Sequence, residues 1–407
     1  MPKRLSVKRL TITTTSLNKT MSLIKFLHTA DWQLGKPFQR VTDDIKGGRL
    51  QTERISSLRR IGEAARDSEV AFVIVAGDLF DSPSTLKSTV SQACEAIGAM
   101  KIPVLAIPGN HDHGGPGSVW EQPFFVNERE RLAPNLRVLL EGKPVVLENA
   151  VVFPAPLLRR HESTDPTAWI RSAFEAPEFP THLPRIVLAH GSVQGFDSSQ
   201  DDEDEDSQGL NRIDLSRLPD SEIDYIALGD WHGTKQISSK AWYSGTPEID
   251  RFPRGEGNDP GNILIVEATR GNSPKIEKKR TANFRWNTFE HRFSEDQEFE
   301  AFQAALESHI GGWGQDSLLQ LSLEGSLGIE ISRRLEELIT SLEARLLRVK
   351  LDHRVAIAPT ESEIRALSNR PDDPLIRTVA EKLSALANGE QGDTARLALR
   401  ELHAALR

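Results

Sequence analysis

One cysteine is all that 407 residues contain. Cys94 lies in the helical stretch VSQACEAIGAM, where it can form neither an intrachain disulfide nor a thiolate metal cluster. A reducing cytoplasm fits this usage, with Cys94 as a buried structural thiol. Long apolar runs are missing too. Nothing approaches the roughly 20 residues that cross a bilayer, which excludes a membrane-spanning helix. Residues 1–20 carry five Lys or Arg and no acid. They lack the apolar stretch of about 7 to 15 residues that a secretory signal needs, and read as a disordered tail or a start placed too early, with Met21 opening the first strand pattern. Excess positive charge is absent as well. The net charge of −9 argues against a uniformly basic, DNA-coating surface, but the run DDEDED at 201–206 supplies six of those charges and the remainder sums to −3.

The length suits two or three domains better than one core. Five short apolar runs, at 23–27, 70–76, 102–107, 185–189 and 225–228, each stop abruptly in polar or glycine residues, the pattern of strands buried on both faces. Amphipathic helical patterns (TERISSLRRIGEAARDS, TLKSTVSQACEAIGAM) separate the first three runs, so helices should layer the sheet. Further strand-like pieces (LRVLL, PVVLENAVVFPAP, WYSG, NILIVEA) point to a second sheet. The expected fold class is α/β, a two-sheet sandwich flanked by helices over residues 21–275. From 276 to 358, helix (295–309), alternating strand, helix and strand (347–352) read as a smaller α/β capping domain. A helical tail, 359–407, follows. There Asp373 can cap, Pro374 suits the first helical position, Leu375, Val379, Leu383 and Leu386 share one face, and Gly389 ends the helix. This stripe, and that of Leu399, Leu402 and Leu406, would pack against a domain or a partner.

Each of the five runs delivers a metal-competent side chain where it stops: Asp31 in HTADWQ, Asp78 in GDLFD, Asn110 in GNHD, His190 in AHG, and Asp230 with His232 in GDWH. A single Asp after a strand is ordinarily a turn residue or helix cap. All of them together at one edge of one sheet match the way open α/β sheets bind ligands beyond the carboxyl ends of their strands. Gly77, Gly109, Gly191 and Gly229 sit beside them, as needed where backbone turns sharply or lets an ion or phosphate approach. These residues point to phosphoester hydrolysis with two metal ions.

The succession D-x-Q, GDLFD, PGNHD, AHG and GDWHG resembles the calcineurin-like metallophosphoesterases. FLHTADWQLG, VAGDLFD, IPGNHD and YSGTP together resemble the DNA-repair nuclease branch of that family, the Mre11/SbcD type, over residues 21–255. Position by position, the resemblance implies that Asp78 bridges two divalent ions. Asp31, Gln33 and His232 would complete the shell of one, and Asn110, His190 and Asp230 that of the other. Such a pair, about 3.5 to 4 Å apart, generates a hydroxide near neutral pH and clamps the phosphate for in-line attack. His111 would protonate the leaving oxygen or steady the transition state, and Asp112 would orient its ring. His28 and Asp81 match supporting positions. Gln33 and Asp230 depart from the family pattern, which usually has His at both. They trade imidazoles for oxygen donors and favour Mn2+, with Mg2+ next, over Zn2+. The resemblance also implies DNA as substrate for exo- and endonuclease cleavage, a Rad50/SbcC-like ATPase docked on the helical tail, and a homodimer.

For phosphate contacts, Lys36, Arg40, Arg49, Arg159, Arg160, Arg251 and Arg254 fall in loops beside the motifs, where they serve either DNA or an ordinary solvated surface. The DDEDED run would repel DNA near the site. Two other functions fit the same residues: a phosphatase for small molecules or phosphoproteins, and a scaffold whose metal binding Gln33 and Asp230 have weakened.

Overall fold

In a computed structural model, the structure describes residues 23–175, 177–193, 210–253, 255, 258–312, 314–358, 360–369, 373–389 and 391–404. Residues 1–20, the DDEDED run and Arg254 lie outside the described residues. Among the described residues, no helix is long and apolar enough to cross a membrane.

Two six-stranded sheets face each other. The first runs, edge to edge, Lys275–Arg280, Asn262–Thr269, Leu23–Thr29, Val73–Ala76, Val104–Ile107 and Leu136–Val138. Leu23–Thr29 and the three strands beyond it pair in parallel, and Asn262–Thr269 joins antiparallel. The second sheet runs Lys235–Gln236, Ala241–Tyr243, Tyr225–Gly229, Arg185–His190, Val151–Ala155 and Val145–Val146, its four inner strands parallel. The two-sheet sandwich is therefore present, with one correction. The five motif strands do not share one sheet, since three belong to the first and two to the second. The Lys275–Arg280 strand also carries the first sheet past the expected boundary at 275.

The period of two along each strand sorts the core. Phe26, Ile74, Leu105, Ile186, Leu188, Tyr225 and Ala227 fill the space between the sheets. Leu27, Val73, Val75, Val104 and Ala106 face outward, under the helices Asp44–Asp67 and Lys87–Met100. Val187, Ala189, Ile226 and Leu228 pack on the far side of the second sheet with Ile170 of the helix Ala168–Glu175.

Beyond 280, parallel strands Arg285–Phe293, Ser317–Leu327 and Arg348–Ile357 alternate with helices Phe299–Ile310 and Ile329–Arg345 around their own apolar core. Leu318, Leu347 and Trp286 of this unit meet Leu50, Phe252 and Phe284. The last helices are Glu361–Ser368, Pro374–Leu386 and Gly392–Ala404. Asp373 caps the second of these, accepting from the Ile376 amide. Its stripe is only partly covered: Leu383 packs on the neighbouring helices, while Leu375, Val379 and Leu386 are exposed.

Candidate metal centre

Strand parity brings the two sheets' motif residues together. Ile186 and Leu188 point between the sheets, so His190, next on that face, points there too and meets the ends of the first sheet's strands. Its Nδ1 lies 2.8 Å from the Ala76 carbonyl, which can only accept, so Nδ1 carries a proton and Nε2 faces the cluster. Nε2 lies 2.9 Å from Asn110 Oδ1, 3.7 Å from Asp78 Oδ2 and 3.8 Å from Asp230 Oδ1. Ligand atoms of Asp31, Asp78 and His190 all fall within 4.8 Å of one another, and all three residues are buried.

This cluster gathers three carboxylates, Asp31, Asp78 and Asp230, around the one His190 imidazole. Burial pushes the Asp31 carboxyl well above the usual range; His190 opposes that rise and Asp78 and Asp230 add to it. Burial alone would push the His190 imidazole down, but Asp78, Asp31 and Asp230 override it and raise it to about 9. With the Asn110 oxygen facing it, Nε2 meets that acceptor across a proton or a cation. A divalent cation fits the donor set, because it would replace that proton and neutralise the carboxylates.

The backbone at the site is strained where it must turn. Asp31, Gln33, Asp78 and Asp230 have φ of 54°, 40°, 53° and 106°, a region that costs non-glycine residues about 1–3 kcal/mol each. A Cβ on Gly77 would overlap the His190 ring, and one on Gly109 would overlap the Asp78 carboxylate.

His232 is held by a buried acid that the sequence reading missed. Its Nδ1 lies 3.0 Å from Asp250 Oδ1, and burial lowers its pKa to about 4, so the neutral ring donates from Nδ1 and keeps Nε2 as an acceptor facing the Gln33 amide, 3.4 Å away. A carboxylate behind an imidazole is the usual support of a metal-ligating histidine. Burial opposes ionisation of Asp250, but His232, Lys36 and Arg251 hold its carboxyl well below the usual range. Lys36 Nζ donates to Asp250 Oδ2 at 2.7 Å and to Gln33 Oε1 at 2.8 Å. Gln33, expected to bring an oxygen to one ion, thus presents its NH2 instead, 3.5 Å from Asp78 Oδ2 and 3.4 Å from His232 Nε2.

His111 stands at the rim. Its amide donates to Asp78 Oδ1 at 2.9 Å, and its Nδ1 donates to the Asp81 carbonyl at 2.9 Å, leaving Nε2 4.0 Å from Asp78 Oδ2. Burial opposes protonation of the ring, but Asp78 and the carbonyl and carboxylate of Asp81 raise its pKa. The expectation that Asp112 orients this ring is corrected. Its two oxygens accept from the Gly109 amide at 2.8 Å and the Phe80 amide at 3.0 Å, tying the second motif loop to the third. Burial and the Asp78 charge push its carboxyl up to about 7 against those bonds. Asp81 orients His111, through its backbone.

His28 joins the two sheets: Nε2 donates to the Leu228 carbonyl at 3.2 Å and Nδ1 accepts from the Tyr225 hydroxyl at 2.9 Å, in a ring that burial holds neutral, with a pKa of about 3. Arg54, also missed, is 1% exposed and braces the first motif, donating to Trp32 O at 2.8 Å, Asp31 O at 2.9 Å, Glu248 O at 3.0 Å and Thr246 Oγ1 at 3.1 Å. A signal for it exists: Leu50, Arg54, Leu58 and Ile61 form one buried helical stripe with a charge in its middle. Among the basic residues, Arg251 Nη2 reaches the Asp250 carboxylate and lies 3.3 Å from His232 Nδ1. Arg159 lines a cavity of about 520 Å³ with Gly114, Pro116 and Glu162. Arg40 and Arg160 are exposed, and Arg49 is spent on Asp316, away from the metal cluster.

Carboxylates, an amide and imidazoles gathered from the strand ends of two facing sheets define the metallohydrolase class. The family model of the calcineurin-like phosphoesterases matches residues 24–258, more than half of the chain, and the chain belongs to that family of phosphoester hydrolases. It is similar to the SbcD subunit of the nuclease SbcCD of Bacillus subtilis (strain 168), 25% identical over 285 residues that cover 61% of this chain and 67% of that protein. Among solved structures, a protein of Thermus thermophilus is similar at a TM-score of 0.39 and 12% identity, over 64% of this chain and 99% of that one. A dimetal phosphatase from Danio rerio is similar at 0.34 and 12% identity, over 62% and 98%.

Proposed function

We propose that this chain is a metal-dependent DNA nuclease, the hydrolytic subunit beside a Rad50/SbcC-like ATPase. One observation carries the reading. Asp31, Asp78, Asn110, His190 and Asp230 converge from five strand ends on a single buried cluster, with His111 at its rim. Its likeness to an SbcD nuclease subunit turns phosphoester hydrolysis toward DNA and toward an ATPase partner. When bound, a divalent cation lowers the pKa of coordinated water and neutralises phosphate charge.

The chain's own groups supply the rest. His111, with Nδ1 fixed on the Asp81 carbonyl, keeps Nε2 for the substrate, and its raised pKa suits it to hand a proton to the leaving oxygen. Oxygen-dominated donors favour Mn2+, with Mg2+ next. Lys36, Arg40, Arg159, Arg160 and Arg251 are candidates for phosphate contacts. The exposed Leu375, Val379 and Leu386 form an apolar strip on the tail of the kind an ATPase could cover.

The test incubates labelled single- and double-stranded DNA with the protein in Mn2+ or Mg2+, beside Asp78→Ala and His111→Ala. Wild type should degrade DNA and both variants should fail to do so. Equal degradation by wild type and Asp78→Ala, or hydrolysis of small phosphodiesters with no action on DNA, would overturn the reading.

A further inference from the structure

We infer that the site holds a single divalent cation tightly, and that the Gln33 amide and the Lys36 ammonium take the place of a second. The inference rests on the metal-dependent reading above and concerns how the site is filled.

The two halves of the cluster differ in what they offer an ion. On the His190 side, Nε2 has oxygens of Asn110, Asp78 and Asp230 at 2.9, 3.7 and 3.8 Å. An octahedron with bonds of about 2.1 Å sets neighbouring ligand atoms about 3 Å apart, so these donors need to close by less than an ångström. The Asp31 carboxylate, which accepts from the Asp230 amide at 3.1 Å, completes an oxygen-rich set.

On the His232 side, an ion would sit between His232 Nε2 and Asp78 Oδ2. That place is taken. Gln33 Nε2 lies 3.4 Å from the first and 3.5 Å from the second, its two N–H groups aimed at the acceptors a cation would join. The amide cannot turn its oxygen inward without cost. An ammonium has three donors and no acceptor, so the Gln33 atom lying 2.8 Å from Lys36 Nζ must be oxygen. Lys36 is itself fixed, 2.7 Å from the buried Asp250 carboxylate that also holds His232. The chain therefore sets an ammonium, anchored on the Asp250 carboxylate, behind this end of the site, where it locks the Gln33 amide with its N–H groups in the place a second dication would take.

The full-length protein, stripped with chelator and dialysed against Mn2+, should retain one ion per chain by elemental analysis. Its electron paramagnetic resonance spectrum should show the six lines of an isolated Mn2+. Gln33→His combined with Lys36→Ala should raise retention to two and replace the six lines with a spin-coupled signal. Histidine accepts a positive φ more readily than most residues, and Lys36→Ala alone, which leaves that position untouched, should already raise affinity for a second ion. Two ions with a coupled signal in wild type would overturn the inference and leave the metal-dependent reading standing. One ion in every variant would overturn the role given to Gln33 and Lys36. No retained ion in wild type would overturn both this inference and the reading it rests on.

Discussion

Removing the Arg54 side chain should damage the metal centre from behind, without altering any candidate ligand side chain. Arg54→Met keeps most of the buried volume and deletes the guanidinium, which donates to three backbone carbonyls and the Thr246 hydroxyl. Leaving a buried acceptor unpaired costs about 1–3 kcal/mol; the Trp32 carbonyl loses its donor, and the Asp31 and Glu248 carbonyls are left to share the one Thr246 hydroxyl proton, so two acceptors set a loss of at least about 2 kcal/mol. That is a large share of the roughly 5–15 kcal/mol that holds a typical domain folded. The centre should suffer with the fold. The Asp31 carbonyl is held by Arg54 and by Thr246 Oγ1 at 2.8 Å, and these bonds keep Asp31 at its φ of 54°. Urea unfolding should show the midpoint falling at unchanged slope, and Mn2+ affinity, read by calorimetry, should drop at least about tenfold. Arg54→Lys keeps the charge but not the fork, and should recover only part of both. A loss below about 1 kcal/mol in Arg54→Met with wild-type Mn2+ affinity would refute the argument, since the carbonyls would then have to be satisfied some other way.

His111→Asn should cut turnover by about 10²–10⁴ while Mn2+ affinity stays within about twofold, because the lost group moves a proton and does not hold the ion; steady-state kinetics beside calorimetry separates the two. Gly77→Ala, at φ 89° and with its new Cβ against the His190 ring, should abolish tight Mn2+ binding and lower the melting temperature, and an unchanged variant would contradict the packing described. In chelator-treated protein the His190 imidazole, raised to about 9 from an ordinary 6.5, gives stability that is complete below pH 6.5 and lost as pH rises through 9, at most about 3 kcal/mol. Asp31, pushed upward, loses stability in the same direction. The melting temperature should therefore fall over pH 6.5–9 without cation and stay nearly level with Mn2+, and equal slopes would sink the linkage.

The strands were legible because their apolar runs stop on a polar or glycine residue; 225–228 is buried on both faces, whereas 23–27 begins on the exposed Leu23 and is buried only further along. Which sheet a strand joins is not written in such a run, since a continuous apolar stretch looks the same on either side of the sandwich. That is why the two sheets' strand ends read as one edge. Asp112 misled for a different reason. It follows His111 directly, but in the tight loop the His111 ring turns to Asp81 while the Asp112 carboxylate turns to the Gly109 and Phe80 amides. Asp250 has no motif spacing to announce it, and reaches His232 only because the backbone after Tyr243 folds back, with the Thr246 amide on the His232 carbonyl.

Position 33 shows why the fold can be read while the metal content resists. The first two motif loops run on past their strands as a ladder of backbone bonds: Asp31 N to Gly77 O at 3.1 Å, Gln33 N to Asp78 O at 2.8 Å, Leu34 N to Leu79 O at 2.9 Å and Asp81 N to Leu34 O at 3.1 Å. Arg54 braces the same stretch from the helix side. None of these bonds involves the Gln33 side chain, so any residue that tolerates the positive φ at this position leaves the backbone that sets the site in place. A histidine would send a ring nitrogen toward Asp78, whereas glutamine hands its oxygen to Lys36 and its nitrogen to the acids. Fold and strand-end pattern survive either choice unchanged, and the number of ions does not. The deciding partner, Lys36, carries no motif of its own; its effect follows from one hydrogen bond to Gln33 and one ion pair to Asp250, 214 residues further along the chain.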